Sequence, residues 1–193
     1  MSATATPTGA EPIGTLSSSG SFTGKVRHLK IASNYGTAIF YGDFVKTVAG
    51  GTVEKDAGTT ALTTTGVFMG CFFTDPTTKQ PTYSQYYPAS TVASDIKAYV
   101  LDDPHVLMKM QGDATLAQTA IGNNVSMVQT AGSTDIGRSK NAVDSSTIAA
   151  TTATLPLRII DFVDGPDSSV GDSFTDVIVK FNAGHQYLNT TGI

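Results

Sequence analysis

Between residues 66 and 104 the chain lays down one strand-like run after another. Gly-Val-Phe-Met-Gly-Cys-Phe-Phe begins at Gly66, Pro-Thr-Tyr-Ser-Gln-Tyr-Tyr-Pro at Pro81, and Lys-Ala-Tyr-Val-Leu-Asp-Asp-Pro at Lys97. Aromatic and β-branched residues fill the runs, and Gly and Asp-Pro pairs, including Asp75-Pro76, separate them, which is the pattern of antiparallel strands joined by tight turns. The same pattern extends in both directions. Residues 26–31 alternate, placing Leu29 and Ile31 on one side and His28 and Lys30 on the other, and read as the first ordered strand. Residues 38–41 and 44–48 flank Gly42-Asp43, a tight-turn pair, and Gly50-Gly51 marks another turn before a short edge strand at 53–55. Residues 59–65 are β-permissive, 106–111 and 125–129 read as strands, and 157–163 and 176–182 form two more, separated by a stretch dense in turn residues.

Two segments break the pattern. Residues 113–119 open with Asp113, a capping residue type, and predict one or two helical turns ending at Gly122. Residues 131–154 are small and polar and predict a long loop or an excursion with little regular structure. Together these readings predict an all-β fold, a single antiparallel β-barrel or β-sandwich with at most a short helix. A length of 193 residues suits one such domain. No repeat of 20 to 50 residues points to a solenoid or propeller.

Residues 1–24 are rich in Ser, Thr, Ala and Gly, with Ile13, Leu16 and Phe22 as the only larger apolar side chains besides Met1. That is too little apolar surface to offset an ordering cost of about 1 to 2 kcal/mol per residue, so a flexible N-terminal arm is expected at 1–24 and the β-domain at 25–193. Such an arm is either a plain tail or a segment that orders on a partner, with Ile13, Leu16 and Phe22 as its anchors at a capsid or subunit interface.

Charged residues make up only 15% of the chain and the net charge is -4, so the clustered Lys and Arg needed to displace counterions from phosphates are missing and nucleic acid is not an expected partner. The N-terminus lacks the basic patch and apolar core of a secretion signal, and no apolar run reaches membrane-spanning length, so no membrane partner is expected. The single cysteine, Cys71, lies in an apolar run and reads as a buried small hydrophobe in a reducing compartment.

No residue set points to catalysis. His28, His105 and His185 stand at no ligand spacing with one another or with Cys71, and neither a Gly-x-Ser-x-Gly elbow nor a phosphate loop ending in Gly-Lys-Ser/Thr occurs. Two acidic groups, Asp102 with Asp103 and Asp161 with Asp164, Asp167 and Asp172, sit among turn residues and lack the EF-hand pattern; turn chemistry is the expected role, with cation binding or glycoside hydrolysis the alternative. Tyr83, Tyr86 and Tyr87 are expected to pack across strands or fill an oligomer interface, with stacking on sugar rings the other option. No catalytic residue, cofactor or metal is assigned.

Three stretches carry a family resemblance: Thr-Ala-Ile-Phe-Tyr-Gly-Asp-Phe-Val-Lys at 37–46, Gly-Val-Phe-Met-Gly-Cys-Phe-Phe-Thr-Asp-Pro at 66–76 with Tyr-Ser-Gln-Tyr-Tyr-Pro at 83–88, and Asp-Val-Ile-Val-Lys-Phe-Asn at 176–182. In the style and order of these elements the chain resembles the decoration, or cement, proteins of tailed-bacteriophage capsids. The resemblance implies a non-enzymatic structural protein of the virion, assembled in the host cytoplasm. It also implies a homotrimer that binds the major capsid protein on the outer capsid surface and stabilises contacts between coat subunits. A host-attachment or glycan-binding virion protein is the alternative, supported by the tyrosines.

Overall fold

The computed structural model describes residues 4–16, 24–189 and 192–193. Its strands in chain order are β1 (Glu11–Thr15), β2 (Arg27–Lys30), β3 (Ile39–Phe40), β4 (Phe44–Thr47), β5 (Val53–Lys55), β6 (Gly66–Thr74), β7 (Pro81–Ser84), β8 (Tyr86–Tyr87), β9 (Lys97–Leu101), β10 (Val106–Gln111), β11 (Asn124–Val128), β12 (Ala142–Ala149), β13 (Leu157–Phe162) and β14 (Asp176–Phe181). Every strand pairing is antiparallel. One sheet runs β1-β10-β14-β13-β11-β12; a second runs β2-β9-β6-β4-β5, with β7 hydrogen-bonded to the far half of β6; β3 and β8 make a small ribbon. The chain is therefore an all-β, sandwich-like domain, and the barrel is not closed: a lone bridge between Gly112 and Val143 draws β12 toward the end of β10 without joining the edges into a ladder.

Two cores hold the layers together. The first lies between the large sheets, where Met108, Met110, Ile159, Val177, Val179 and Phe181 of the first sheet meet Phe44, Val67 and Leu101 of the second. The second lies behind the second sheet, where Val45, Phe68, Cys71, Phe73, Ala98 and Val100 are covered by Ile39 and Tyr87 of the ribbon and by Ile31 and Ile96. The second sheet thus buries both faces over much of its extent, and β6 reads as a near-continuous apolar run for that reason.

The Gly42-Asp43 turn forms as expected: the Asp43 amide donates to the Phe40 carbonyl at 2.9 Å, and Gly42 takes φ +88, the left-handed value a type II turn requires at that position. The strands on either side do not pair with each other. β3 joins β8 and β4 joins β5 and β6, so the turn carries the chain from the ribbon layer into the second sheet. Asp43 itself is fully buried. Its Oδ1 accepts from Ser139 Oγ (2.6 Å) and Asn141 Nδ2 (3.1 Å), and its Oδ2 accepts from the Phe40 amide (2.9 Å) and pairs with Lys55 Nζ (2.9 Å). One carboxylate thereby ties the turn to β5 and to a segment almost a hundred residues later.

Three expectations are corrected. The first ordered strand is not at 26–31, and the boundary at 24/25 does not set an arm apart from the domain. Glu11–Thr15 is β1, paired to β10, and Ala10 is fully buried with its amide on the Gly42 carbonyl at 2.9 Å. The segment has little apolar surface of its own, but it enters an existing sheet, whose edge supplies its main-chain hydrogen bonds. Asp113 caps no helix: its carboxylate accepts from the Ser145 amide and hydroxyl (2.9 and 2.7 Å), and a single 3-10 turn forms later, at Gln118–Ala120. Residues 131–154 are not a loop throughout, because Ala142–Ala149 is β12, an edge strand on β11. Hydroxyls take the role there that apolar side chains have elsewhere, with Thr147 Oγ1 accepting from the Ser126 amide at 3.0 Å.

Candidate functional site

The second sheet extends past the first, and its uncovered portion carries a row of rings. The row depends on a bulge. Pairing of β6 with β9 shifts register between Phe68 and Cys71, where Gly70 takes φ +124, and the extra residue reverses the alternation of side chains. Phe68, Cys71 and Phe73 consequently point into the second core, while Val67 faces the first core, Met69 packs against it, and Phe72 continues along that same face. Neighbouring strands keep step. Tyr99 shares the face of Leu101 on β9, Tyr83 lies opposite Phe72, and His28 lies opposite Tyr99.

The result is a line of rings across four adjacent strands, from β7 through β6 and β9 to β2. Tyr83 and Phe72 have centroids 5.0 Å apart, Tyr83 and Tyr99 are 6.5 Å apart and nearly parallel at 6°, and Tyr99 meets His28 edge-on at 4.6 Å. Tyr83 is 73% exposed. Lys30 and Lys97 lie directly opposite each other on the same face, both exposed, and among the described residues no ion pair engages either. A carboxylate closes this end of the row: Asp95 accepts from the Thr74 hydroxyl (2.7 Å) and amide (3.1 Å), which hold it below the usual carboxylate range with a lesser contribution from Lys97.

Of the three tyrosines singled out in the sequence, only Tyr83 belongs to this surface. Tyr87 is fully buried and donates its hydroxyl to the Tyr35 carbonyl at 3.1 Å; Tyr86 stacks on Phe40 at 5.5 Å. The rings that sequence reasoning missed, Phe72 and Tyr99, sit in runs that look uniformly apolar, and the Gly70 bulge that turns Phe72 outward leaves no periodic trace in a single run.

Ile13 projects from β1, the edge strand of the first sheet, and Leu16 follows directly after its end with its amide on the His105 carbonyl at 3.0 Å; they are 44% and 48% exposed, and Phe22 lies outside the described residues. Pro12 has no amide to offer a further strand, so this edge presents side chains more readily than main-chain hydrogen bonds.

Four of the six acidic residues singled out in the sequence are held by neighbouring groups. Asp102 pairs with Arg27, and Asp103 accepts from the His105 amide at 2.8 Å. Asp161 accepts from the Phe162 amide, and Asp172 from the Ser169 amide. Among the described residues no group of three or more His, Cys, Asp or Glu is placed to hold a metal ion. His105 is exposed, whereas His185 is fully buried against Phe181 and Tyr187. Its Nδ1 accepts from the Tyr187 amide at 3.3 Å, its Nε2 has no hydrogen-bond partner among the described residues, and burial pushes the imidazole down to about 4. Burial likewise pushes the Cys71 thiol up to about 12. A concavity of about 720 Å³ lies between β4 and the C-terminal segment, lined by Val48, Tyr187 and Ile193 among others; Lys46 is the only charged group among its described lining residues, so it pairs no acid with a base. No helix among the described residues is long and apolar enough to cross a membrane.

In comparisons with protein-family models, curated proteins and solved structures, nothing matches this chain. What the fold and its surface define is a class: an all-β domain with rings and apolar side chains displayed on open faces.

Proposed function

We propose that this chain is a structural virion protein that binds the outer surface of a phage capsid and cements contacts between coat subunits, without catalysing a reaction. The observation that carries the reading is the edge of the first sheet at β1, where Ile13 in the strand and Leu16 just past its end are about half exposed. Resemblance to decoration proteins in the stretches at 37–46, 66–76 and 176–182 supplies the identity of the partner, the major capsid protein, and the homotrimer.

The mechanism is additive binding. Half of each side chain is already covered, so complete burial of Ile13 and Leu16 contributes about 1 kcal/mol apiece. Such contacts are weak singly. A trimer that engages several coat subunits turns the second and third contacts into intramolecular events at high effective concentration, and a ligand of the intact lattice alone shifts disassembly by mass action.

The test adds purified protein to undecorated capsids and measures cosedimentation and capsid melting. Saturable binding and a raised melting temperature are expected, and Ile13→Ser with Leu16→Ser weakens binding at least tenfold, the equivalent of about 1.4 kcal/mol. Absence of binding by the unaltered protein refutes the function; full binding by the double variant refutes the surface.

A further inference from the structure

We propose that the aromatic row of the second sheet is a binding site for an anionic polysaccharide, a chain of sugar rings bearing carboxylate or sulfate groups. The inference stands on the geometry of that face and does not rest on the capsid reading.

Four features select this ligand class. The first is shape. His28, Tyr99, Phe72 and Tyr83 come from four adjacent strands, and the outermost rings, Tyr83 and His28, lie 6.5 and 4.6 Å from Tyr99, a row of at most about 11 Å between centroids. A line of four side chains is far smaller than the roughly 800 Å² that each partner commits to a standard protein interface, and it suits an extended chain. The second is orientation. The Tyr83 and Tyr99 rings are stacked with each other within 6° of parallel, which fixes the orientation of the exposed Tyr83 ring and leaves it available to stack on a flat, apolar sugar face.

The third feature is the absence of main-chain partners. Peptides captured in extended form add to a sheet edge, where unpaired amides and carbonyls await them, or enter a groove. This site is the face of strands already paired: β6 and β9 are interior, and the ladder β7-β6-β9-β2 leaves its hydrogen-bonding groups directed within the sheet. Side-chain stacking and charge are what it offers.

The fourth feature is charge. Lys30 and Lys97 face each other across β2 and β9, a like-charge pair that costs the sheet stability. No ion pair engages either among the described residues, and Asp95, two residues before Lys97, is hydrogen-bonded by Thr74 and takes only a lesser electrostatic contribution from Lys97. In a chain of net charge -4, two adjacent ammonium groups beside an open aromatic row are matched by a ligand that brings anions at the spacing of sugar units.

Binding is measured by affinity electrophoresis and calorimetry of the full chain with polygalacturonate, dextran sulfate, neutral dextran and poly-glutamate. Retention by polygalacturonate or dextran sulfate is expected, with much weaker retention by neutral dextran. Tyr83→Ala, a change at an exposed site that leaves the protein folded with at most a small drop in melting temperature, weakens binding about fivefold, the scale of one lost ring contact. Lys97→Gln weakens it by a similar factor, and about 0.5 M salt abolishes the charge contribution. Three results overturn the proposal: no binding to either anionic polysaccharide, binding to poly-glutamate of equal strength that Tyr83→Ala leaves unchanged, which marks a charge-only surface, or polysaccharide binding that survives both substitutions, which places the site elsewhere. Capsid cosedimentation of the Tyr83→Ala variant reports separately on the capsid reading.

Discussion

Replacing Asp43 by Ala should be among the most destabilising single changes this domain can suffer. The carboxylate is fully buried and satisfies four donors: Ser139 Oγ, Asn141 Nδ2, the Phe40 amide and Lys55 Nζ. Its loss strands Lys55, whose side chain is only 13% exposed, and removes the acceptor for two buried polar groups from the 138–141 segment. Breaking a buried pair in this way costs about 3 to 5 kcal/mol. The partial route of Lys55 to solvent lowers the figure and the orphaned Ser139 and Asn141 raise it, which leaves about 4 kcal/mol. At about 2 to 4 °C per kcal/mol for a domain of this size, the melting temperature falls by about 8 to 16 °C, and the urea midpoint falls by about 2 M. A double-mutant cycle with Lys55→Met separates the contributions. If the stranded ammonium dominates, Asp43→Ala costs at least about 1.5 kcal/mol less once Lys55→Met is already in place. A cost below about 1 kcal/mol, or zero coupling, refutes the reasoning that this carboxylate organises the junction between the sheets.

Gly9 makes a second test, of the N-terminal segment. It takes φ +74, and a Cβ there lies 2.5 Å from Ser139 Cβ and 2.7 Å from the Gly42 carbonyl oxygen, so Gly9→Ala adds overpacking to left-handed strain and costs about 3 kcal/mol in urea denaturation; a neutral outcome means residues 6–16 are not integral to the fold. His185 makes a third. Its folded value of about 4 lies below the ordinary 6.5, so the unfolded chain takes up the proton first: stability is full above pH 6.5 and is lost as pH falls toward 4, at about 1.4 kcal/mol per pH unit from this group. His185→Phe removes the unpartnered Nε2 and should flatten that slope in a pH series of melting curves; an unchanged slope assigns the acid sensitivity to other groups.

The local grammar of the chain was legible without the structure. Strands at Gly66–Thr74, Lys97–Leu101, Val106–Gln111, Leu157–Phe162 and Asp176–Phe181 were readable because each buries enough apolar side chains to declare itself. The turn at Gly42-Asp43, the turn at Gly50-Gly51 and the edge position of Val53–Lys55 follow from backbone preferences that act over a few residues. Other parts depended on partners distant in sequence. β1 and β12 have weak patterns of their own and exist because β10 and β11 present unpaired edges to them. Asp43 reads as an ordinary turn residue until Lys55, Ser139 and Asn141 converge on it. The aromatic row likewise needed the tertiary structure, since a one-residue bulge at Gly70 decides which face Phe72 occupies, and the lateral order of β7, β6, β9 and β2 decides which rings become neighbours. Strand propensity is set by a residue and its near neighbours, whereas the side a ring faces is set by register, and register belongs to the pairing of strands.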